Sequence, residues 1–354
     1  MRKESGHTGH NFIRIILTAN SCSIVVVLAA AQVFLCIYVL SMKMDMDNLN
    51  DDCVCIIMEY LSLVDQIAMA RCSLRYEELL CQIVWRKPRF REISVSYTMF
   101  APLSKDDYMY FFELMSSQME KLYIWNVHEK AFDSYLGRHL MRPELAFYLR
   151  LDMSNLLELC ITDDNMNNSM VQTITKSCPN LRSLSVSSAY ITGKFMVGLH
   201  KLKTLVAREC SIEATHLEEL LAQLQLTTLD LTSNKNQVEE TILQAPASGL
   251  ARLQRLGISD AQNCGFSVAE VLPELRELVV SYHDMEAQVL TDMLEKTRQL
   301  ASLSDTKFPK RLQLIMCNVV DVEVALEQIT GLETRSPREA PKFCEVLKII
   351  YKCK

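Results

Sequence analysis

The residue types that could perform catalysis or hold a metal ion do not occur in this chain at productive spacings. The sequence has no glycine-rich phosphate loop, no H-E-x-x-H zinc motif and no G-x-S-x-G nucleophile motif. Its seven histidines are scattered. None lies within a few residues of a cysteine or a carboxylate pair at the spacing of metal ligands. We therefore expect a non-enzymatic protein with no catalytic residues, no metal and no cofactor, whose partners would perform any catalysis.

Three local clusters come nearest to reactive chemistry. Cys53 and Cys55 form a C-x-C pair inside an apolar helical pattern, which favours core packing over a metal site. Two acidic pairs begin at Asp163 and Glu239, on predicted loops or helix starts, where carboxylates are usually solvated or cap a helix. The chain has 13 cysteines at irregular spacing and no C-x-x-C pair. This pattern favours a reduced, intracellular compartment.

The elements that organise the chain come from a repeated frame: an apolar residue, two others, Leu or similar, one other, then an aliphatic residue. Successive copies from Leu156 to Leu275 begin 25, 21, 24, 27 and 22 residues apart. That is the period of a leucine-rich repeat, in which a strand and a return helix form one unit. Well-formed copies begin at Leu156, Leu181, Leu226, Leu253 and Leu275, and poorer copies at Met119, Leu202 and Pro309.

The frame predicts which side chains face the core and which face outward. Because successive strand residues point to opposite faces, positions four and six point inward, while positions three, five and seven line the other face. Apolar spacings of three and four predict helices over 167–178, 215–224, 286–299 and 321–329. One unit cannot bury its apolar edge alone. The predicted fold is therefore an α/β solenoid that is curved, with strands on the concave face and helices on the convex face.

The outward positions form the expected surface for a protein partner. In the middle copies they are small and hydroxylated, whereas strong interface anchors are usually Trp, Tyr and Arg. For one aromatic residue, Trp125, burial beneath a loop over 126–155 remains an alternative. The residues expected to bind the target protein are Tyr123, Trp125, Arg208, Asp230, Arg255 and Glu277.

Length and charge exclude several other classes of protein. A chain of 354 residues is too long for one compact core but suits a solenoid with an attached module. The hydrophobic content of 49% and charged content of 23% indicate a globular rather than a disordered protein. The net charge is −6, and no basic stripe with interleaved aromatic residues is visible. Nucleic acid is therefore not an expected partner.

The N-terminal region, residues 1–47, contains an apolar run over 24–40 with one polar residue, Gln32. The run is just long enough to span a bilayer, and it is also similar to a signal sequence. The basic residues before it would place the repeats outside the cytosol, whereas the cysteine pattern places them inside. Two further alternatives are a buried helix and an extension upstream of the usual start, at a methionine such as Met42.

Residues 48–90 show the pattern of three short amphipathic helices. Acidic residues near Asp51 cap the first helix, Leu63 begins the second, and the third ends at Trp85 before Pro88. Three such helices bury little surface by themselves. We therefore expect this module to complete its core against a partner.

The apolar and acidic residues of this module follow a recognisable order. They are Leu49, Asp52, the pair Tyr60-Leu61, Asp65, Cys72, Tyr76 and the closing Trp85. In this order the stretch resembles the F-box, from which it departs at Asn50, Gln66 and Val84. The junctions ending at Leu181 and Leu275 are similar to those between repeats of F-box leucine-rich proteins. Together the two resemblances cover roughly residues 48–330.

The resemblance implies the substrate receptor of a Skp–cullin–F-box ubiquitin ligase. In that family the F-box docks on the Skp adaptor of the cullin scaffold, and the repeats hold the protein that is ubiquitylated for proteasomal degradation. A cytoplasmic or nuclear location would follow. The residues then expected to face the adaptor are Leu49, Ile57, Leu61, Tyr76 and Trp85. Two alternatives stay open: a membrane-anchored leucine-rich-repeat receptor, associated with the membrane through residues 24–40, and a scaffold that works without the ligase.

The expected domains are an N-terminal region over 1–47, an F-box over 48–90, repeats over 91–332 and a basic C-terminal segment over 333–354. Within the repeats, Phe90, Ile93 and Val95 fit a first, capping strand. The apolar run that begins at Val346 is either a last strand that covers the open solenoid end or part of a solvated basic tail.

Overall fold

A computed structural model gives the fold of this protein. The residues that it describes are 48–95, 98–100, 102–125, 132–133, 138–139, 144–163, 165–234, 238–259, 272, 274–282, 311–317 and 346–352. The chain divides into two compact units between Trp85 and Arg86. The apolar run over 24–40 and the helices expected over 286–299 and 321–329 lie outside the described residues. In the described ranges, no helix is both long and apolar enough to cross a membrane.

The first unit consists of helices, as the apolar spacing predicted. They are α1 (Asp51–Tyr60), α2 (Leu63–Cys72) and α3 (Leu74–Leu79), followed by a π-helical turn (Leu80–Val84). Asn50 caps α1, since its side chain accepts a hydrogen bond from the Cys53 N–H at 2.9 Å. Ser62 caps α2 in the same way, through the Asp65 N–H.

A buried hydrogen-bond chain connects these helices. The indole Nε1 of Trp85, which is fully buried, donates to Oε1 of Gln66 at 2.7 Å. The Nε2 of Gln66 donates to the carbonyl oxygens of Met58 at 2.8 Å and Leu61 at 3.2 Å. Gln66 departs from the F-box pattern, and the structure gives the physical reason for its polarity. It donates to carbonyl groups at the end of α1, where the regular intrahelical hydrogen bonds run out. The Met58 carbonyl also accepts from the Leu61 N–H at 3.1 Å.

The second unit is built on one ten-stranded sheet that is parallel throughout. Its strands are β1 (Glu92–Ser94), β2 (Lys121–Trp125), β5 (Glu158–Thr162), β6 (Ser183–Ser187), β7 (Thr204–Arg208), β8 (Thr228–Asp230), β9 (Arg255–Ser259), β10 (Glu277–Tyr282), β11 (Arg311–Cys317) and β12 (Val346–Lys352). Their order in the sheet is their order in the chain. Between β2 and β5, the chain forms a separate antiparallel pair, β3 (Phe132–Asp133) and β4 (Arg138–His139).

The two ends of the sheet lie at the two runs that the sequence offered as capping strands, at Phe90 and Val346. The run at Phe90 forms the first strand, β1, which pairs with β2. The apolar run at Val346 forms the last strand, β12, which pairs with β11 over seven residues. Of the two alternatives left open for this run, the structure therefore has the strand.

Helices connect the strands. They are α4 (Pro88–Arg91), α5 (Lys105–Met115), α6 (Leu145–Arg150), α7 (Asn168–Ser177), α8 (Ala214–Gln223), α9 (Glu239–Gln244) and α10 (Ala247–Leu250), with 3-10 turns at Thr98–Phe100, Ser116–Gln118 and Met196–Gly198. The helices predicted over 167–178 and 215–224 are confirmed as α7 and α8. The buried side chains of α8 are Leu217, Leu220 and Leu221, which are three and four residues apart.

The core lies where the frame placed it. Leu156, Leu159 and Ile161 are fully buried, and the same positions of the other copies are buried wherever side chains are described. Position nine joins neighbouring repeats. In the copy that starts at Leu226 this position holds Asn234, whose Oδ1 accepts from the Ile212 N–H at 2.8 Å and whose Nδ2 donates to the Ala207 carbonyl at 3.0 Å. The second unit is therefore an α/β repeat fold of the leucine-rich type.

Candidate functional site

The outward face of the sheet is accessible over its middle strands. In β5, β6 and β7, core positions alternate with half-buried outward positions, as the frame predicted. Six hydroxyl-bearing residues occupy outward positions of β5 to β8, and we call this set the hydroxyl face: Thr162, Ser183, Ser185, Ser187, Thr204 and Thr228. Such short side chains allow the main chain of a partner to approach the sheet closely.

The face does not extend as far as the sequence suggested. Gly257, Ser259, Val279 and Ser281 were expected to line it in β9 and β10, but all four are buried. Of the outward positions of β9 and β10, only Arg255 and Glu277 are half-buried rather than buried. This difference could not be read from the frame, because the alternation of a strand does not tell whether its second face is covered.

The strongest charged contact on this face joins β7 to β8. Arg208 donates to Asp230 Oδ2 through Nε at 3.0 Å and through Nη2 at 2.6 Å. Asp230 Oδ1 accepts two more bonds, from the Thr232 N–H at 3.1 Å and its hydroxyl at 2.7 Å. The Asp230 side chain is only 1% exposed, whereas that of Arg208 is 50% exposed. Asp230 therefore orients Arg208, and Arg208 offers its remaining N–H groups to solvent.

The ionisation of Asp230 follows from these contacts. Burial raises the pKa of the Asp230 carboxyl, but the hydrogen bonds and charge of Arg208 and the hydrogen bonds of Thr232 outweigh burial, so the pKa lies below 3.8. The carboxylate stays charged near neutral pH and keeps Arg208 in place. The pair thus presents a fixed guanidinium beside the hydroxyl face.

The neighbouring strand leaves room for this carboxylate only because it has a glycine there. Gly257 pairs with Asp230 in the register of β8 and β9. A Cβ at position 257 would lie 2.5 Å from Asp230 Oδ1, 2.8 Å from its Cγ and 3.1 Å from Thr232 Cγ2. Gly257 was predicted to be part of the partner surface, but its structural role is close packing against a buried charge.

A second charged group lies at the β1–β2–β5 end of the face. Lys121 Nζ lies 3.1 Å from Glu92 Oε2 and 3.9 Å from Glu158 Oε2. The Tyr123 hydroxyl donates to Glu158 Oε1 at 3.1 Å. Burial and the charge of Glu158 raise the pKa of Tyr123, which keeps its hydroxyl a donor. Trp125 ends β2, and its side chain lies outside the described part of the structure.

The six predicted target-binding residues do not form one cluster. Arg208 and Asp230 form the close pair described above, and Arg255 Nη1 lies 3.7 Å from Glu277 Oε2 in β10. Tyr123 lies three strands from Arg208 in the sheet order, with β5 and β6 between them. The sequence frame could not show these pairings, because it fixes strand register but not which charged side chains meet.

The predicted adaptor-facing residues were expected on or beneath the contact surface, and they differ in exposure. Leu49, Ile57 and Leu61 are half-buried, while Tyr76 and Trp85 are buried. Among the residues of this unit that the structure describes, the exposed large apolar side chains are Ile56 (56%), Tyr60 (53%), Leu74 (77%) and Ile83 (46%). Sequence reasoning missed them because helical spacing identifies apolar residues but does not tell which of them the fold leaves exposed.

The structure shows where potential metal ligands and two cysteine thiols lie. Among the residues that the structure describes, no three His, Cys, Asp or Glu side chains lie close enough together to hold a metal ion. Burial raises the pKa of the thiols of Cys178 and Cys210 to about 11, so both stay protonated near neutral pH. Their position in the repeats fits a packing role.

Comparison with known proteins adds little to this description. No protein-family model matches the chain, and no curated protein does. Among solved structures, an internalin from Listeria monocytogenes is similar at a TM-score of 0.32 and 17% sequence identity. The similarity covers 61% of this chain and 62% of that chain.

Proposed function

We propose that this protein is the substrate receptor of a Skp–cullin–F-box ubiquitin ligase. In this proposal the first unit docks on the Skp adaptor, and the repeats, with their strand face concave, hold the target protein. The protein itself performs no catalysis; the ligase subunits supply it. The observation that carries the proposal is a set of four exposed large apolar side chains on a small helical unit whose sequence resembles the F-box.

The apolar surface is concentrated in the first unit. Six large hydrophobic side chains are exposed among the described residues, and four of them belong to the 38 residues from Asn48 to Trp85. Exposed apolar patches on soluble proteins usually mark interaction sites. We name these four residues, Ile56, Tyr60, Leu74 and Ile83, the apolar set.

The geometry of α1 explains why this exposure does not come from poor packing. Val54, Cys55 and Met58 form the buried side of the helix. At 100° per residue, Ile56 and Tyr60 fall on the opposite side, one turn apart. The helix thus has one apolar side for its own core and two apolar residues directed to solvent, where a partner helix could cover them.

The repeats supply the second binding function. The hydroxyl face admits a partner's main chain, and Tyr123, Arg208 and Arg255 are the anchors that we propose for it, together with Trp125. Asp230 and Glu277 contribute by holding the two arginines. Tyr and Arg lose little entropy on fixation here because each already has a partner on the sheet.

The test is adaptor binding by two matched double variants of the full-length protein. Ile56→Asp with Tyr60→Asp places two charges on the apolar set. Tyr190→Asp with Leu243→Asp makes the same kind of change at two exposed hydrophobic residues of the second unit. We expect the first pair to lose the co-purified Skp adaptor and cullin, and the second pair to retain both.

Two results would contradict the proposal. If the parent protein does not co-purify with the adaptor, the first unit is not a functional F-box, and a scaffold without the ligase becomes the better interpretation. If both double variants bind the adaptor as the parent does, the apolar set is not the docking surface. Circular dichroism of each variant shows whether the helices and repeats remain folded.

A further inference from the structure

A row of exposed and half-buried residues runs along the amino-terminal ends of the strands. Its members occupy position two of successive frame copies, and we call the row the amino edge: Arg91, Glu120, Leu157, Arg182, Lys203, Thr227, Gln254 and Arg276. The main-chain N–H of each member donates to the carbonyl of the preceding member, in every case at 2.8 Å. The row is therefore continuous, and each step equals one strand separation.

Positive charge dominates the amino edge, although the chain as a whole has a net charge of −6. Four members are cations and one, Glu120, is an acid. Glu120 is already paired, since its Oε1 lies 3.1 Å from Arg91 Nη1. Arg182 and Lys203 are adjacent and exposed, and neither forms an ion pair within the described ranges. Three further exposed residues each lie two positions before a member of the row. Lys201 and Arg252 are cations, and Glu274 is an acid.

A cleft of about 420 Å³ lies at the first end of the row. Arg86, Arg91 and Glu120 line it, with the side chain of Asn155 and with Leu157, which is one step from Arg182. Arg91 is held in place because its Nε donates to the Arg86 carbonyl at 3.2 Å. The guanidinium of Arg86 is exposed and forms no ion pair in the part of the chain that the structure describes. The cleft thus has one compensated and one available cation.

We infer that the amino edge binds an extended acidic segment of a partner protein. Carboxylates of the segment pair with Arg182 and Lys203, and one further acidic side chain enters the cleft beside Arg86. Strands lie about 4.8 Å apart, so the seven steps of the row span about 34 Å, which matches about ten residues of extended chain. The inference rests on the proposed function in one respect: it takes the repeats as the target-binding unit, and it names the chemistry of the target.

An acidic peptide fits this row better than a nucleic acid does. Single-stranded nucleic acids are usually bound by aromatic side chains on which bases stack, in addition to cations. The amino edge has no aromatic member. Two amide residues, Asn155 and Asn180, each lie two positions before a member of the row. Both amides are used within the fold, since they donate to the carbonyls of Ser117 and Ser154 at 2.7 Å. The edge therefore offers charge without a stacking platform.

The experiment measures, by fluorescence anisotropy, how tightly the full-length protein binds a labelled peptide. The peptide is composed of Glu, Ser and Gly and has about 12 residues, which is about the length of the row. A second peptide has Gln in place of every Glu. The test variant is Arg182→Glu with Lys203→Glu. The matched control is Lys105→Glu with Lys194→Glu, which changes the net charge equally at exposed residues that follow the carboxyl ends of β1 and β6.

We expect the parent to bind the glutamate peptide at least about tenfold more tightly than the glutamine peptide, which is about 1.4 kcal/mol. The test variant should lose that preference, and the control should stay within about twofold of the parent. Equal weakening in both variants would overturn the inference, because net charge alone would then explain binding. Tighter binding of single-stranded RNA through the same two cations would overturn it in favour of nucleic acid.

Adaptor binding, measured on the same preparations, separates this inference from the proposed function. Loss of peptide binding by the test variant with adaptor co-purification intact supports both. Selective peptide binding by a parent that does not bind the adaptor refutes the ligase assignment and supports the acidic-segment site. A parent that binds the adaptor but not the glutamate peptide refutes the inference alone.

Discussion

Replacement of Gly257 by alanine tests how closely β8 and β9 must approach around a buried charge. At an ordinary strand position this change stabilises a protein by about 0.4–1 kcal/mol, because the unfolded chain loses freedom. Here the added Cβ would lie 2.5 Å from Asp230 Oδ1, well inside van der Waals contact. The carboxylate cannot move freely, because Arg208 and Thr232 hold it through four hydrogen bonds.

The magnitude follows from what must give way. Overpacking in a well-packed core costs about 1–3 kcal/mol. Displacing Asp230 also weakens charge-assisted hydrogen bonds that are each worth about 1.5–3 kcal/mol when intact. After the entropic gain is subtracted, we expect Gly257→Ala to lower the free energy of unfolding by about 1–3 kcal/mol.

A double-mutant cycle isolates the cause. In an Asp230→Ala background the clashing atoms are gone, so Gly257→Ala should be neutral within about 0.5 kcal/mol or slightly stabilising. Urea unfolding, followed by the circular dichroism signal of the helices, measures the free energy of unfolding of all four proteins. If Gly257→Ala leaves the parent as stable as before, or costs the same in both backgrounds, the crowding of Asp230 does not decide the effect and the reasoning is wrong.

Two further predictions concern buried polar contacts. Gln66→Leu removes the acceptor 2.7 Å from the Trp85 indole and the donor to two α1 carbonyls, so urea unfolding should show a loss of about 1–3 kcal/mol. The same change at exposed Gln82 should cost within about 0.5 kcal/mol, and equal losses would contradict the role of Gln66. Asp230→Asn should destabilise the protein at pH 7, and the deficit should shrink as pH falls below 3.8. Because the pKa of Asp230 is lowered on folding, its contribution is present above 3.8 and disappears as the carboxylate is protonated in the folded state. If the deficit in the free energy of unfolding is as large at about pH 3 as at pH 7, this contribution is refuted, because about pH 3 lies below the ordinary aspartate pKa of about 3.9.

Much of the repeat fold was accessible from the sequence because apolar residues at positions one, four and six satisfy a local rule. Leu181, Leu184 and Val186 are buried for the same geometric reason as their equivalents in other copies. The three helices of the first unit followed from apolar spacing and caps. The role of Gln66 could not be predicted in this way, because it depends on a hydrogen bond with Trp85, which is 19 residues further along the chain.

The candidate sites were harder to predict, because they depend on residues that only the fold brings together. Arg182 and Lys203 are 21 residues apart in the chain but occupy adjacent steps of the amino edge. A search for basic runs in the sequence therefore missed them. Position two of the frame was the available signal, although it contributes neither to the core nor to the strand face. Asp230 was predicted at the surface, but its side chain folds beneath Arg208.

Because the hydrogen-bond ladder of the amino edge is unbroken, the distance between two of its charges can take only certain values. Because every member sits one strand separation from the next, the gap between two cations can only be a multiple of about 4.8 Å. A substitution can add or remove a charge at one step, but it cannot shift a charge by half a step. Gain or loss of one whole repeat would move Arg276 relative to Lys203 by one step and leave the core of every other repeat unchanged. The number of repeats between two charges thus sets the distance between them, and single residues decide which steps of the edge are charged.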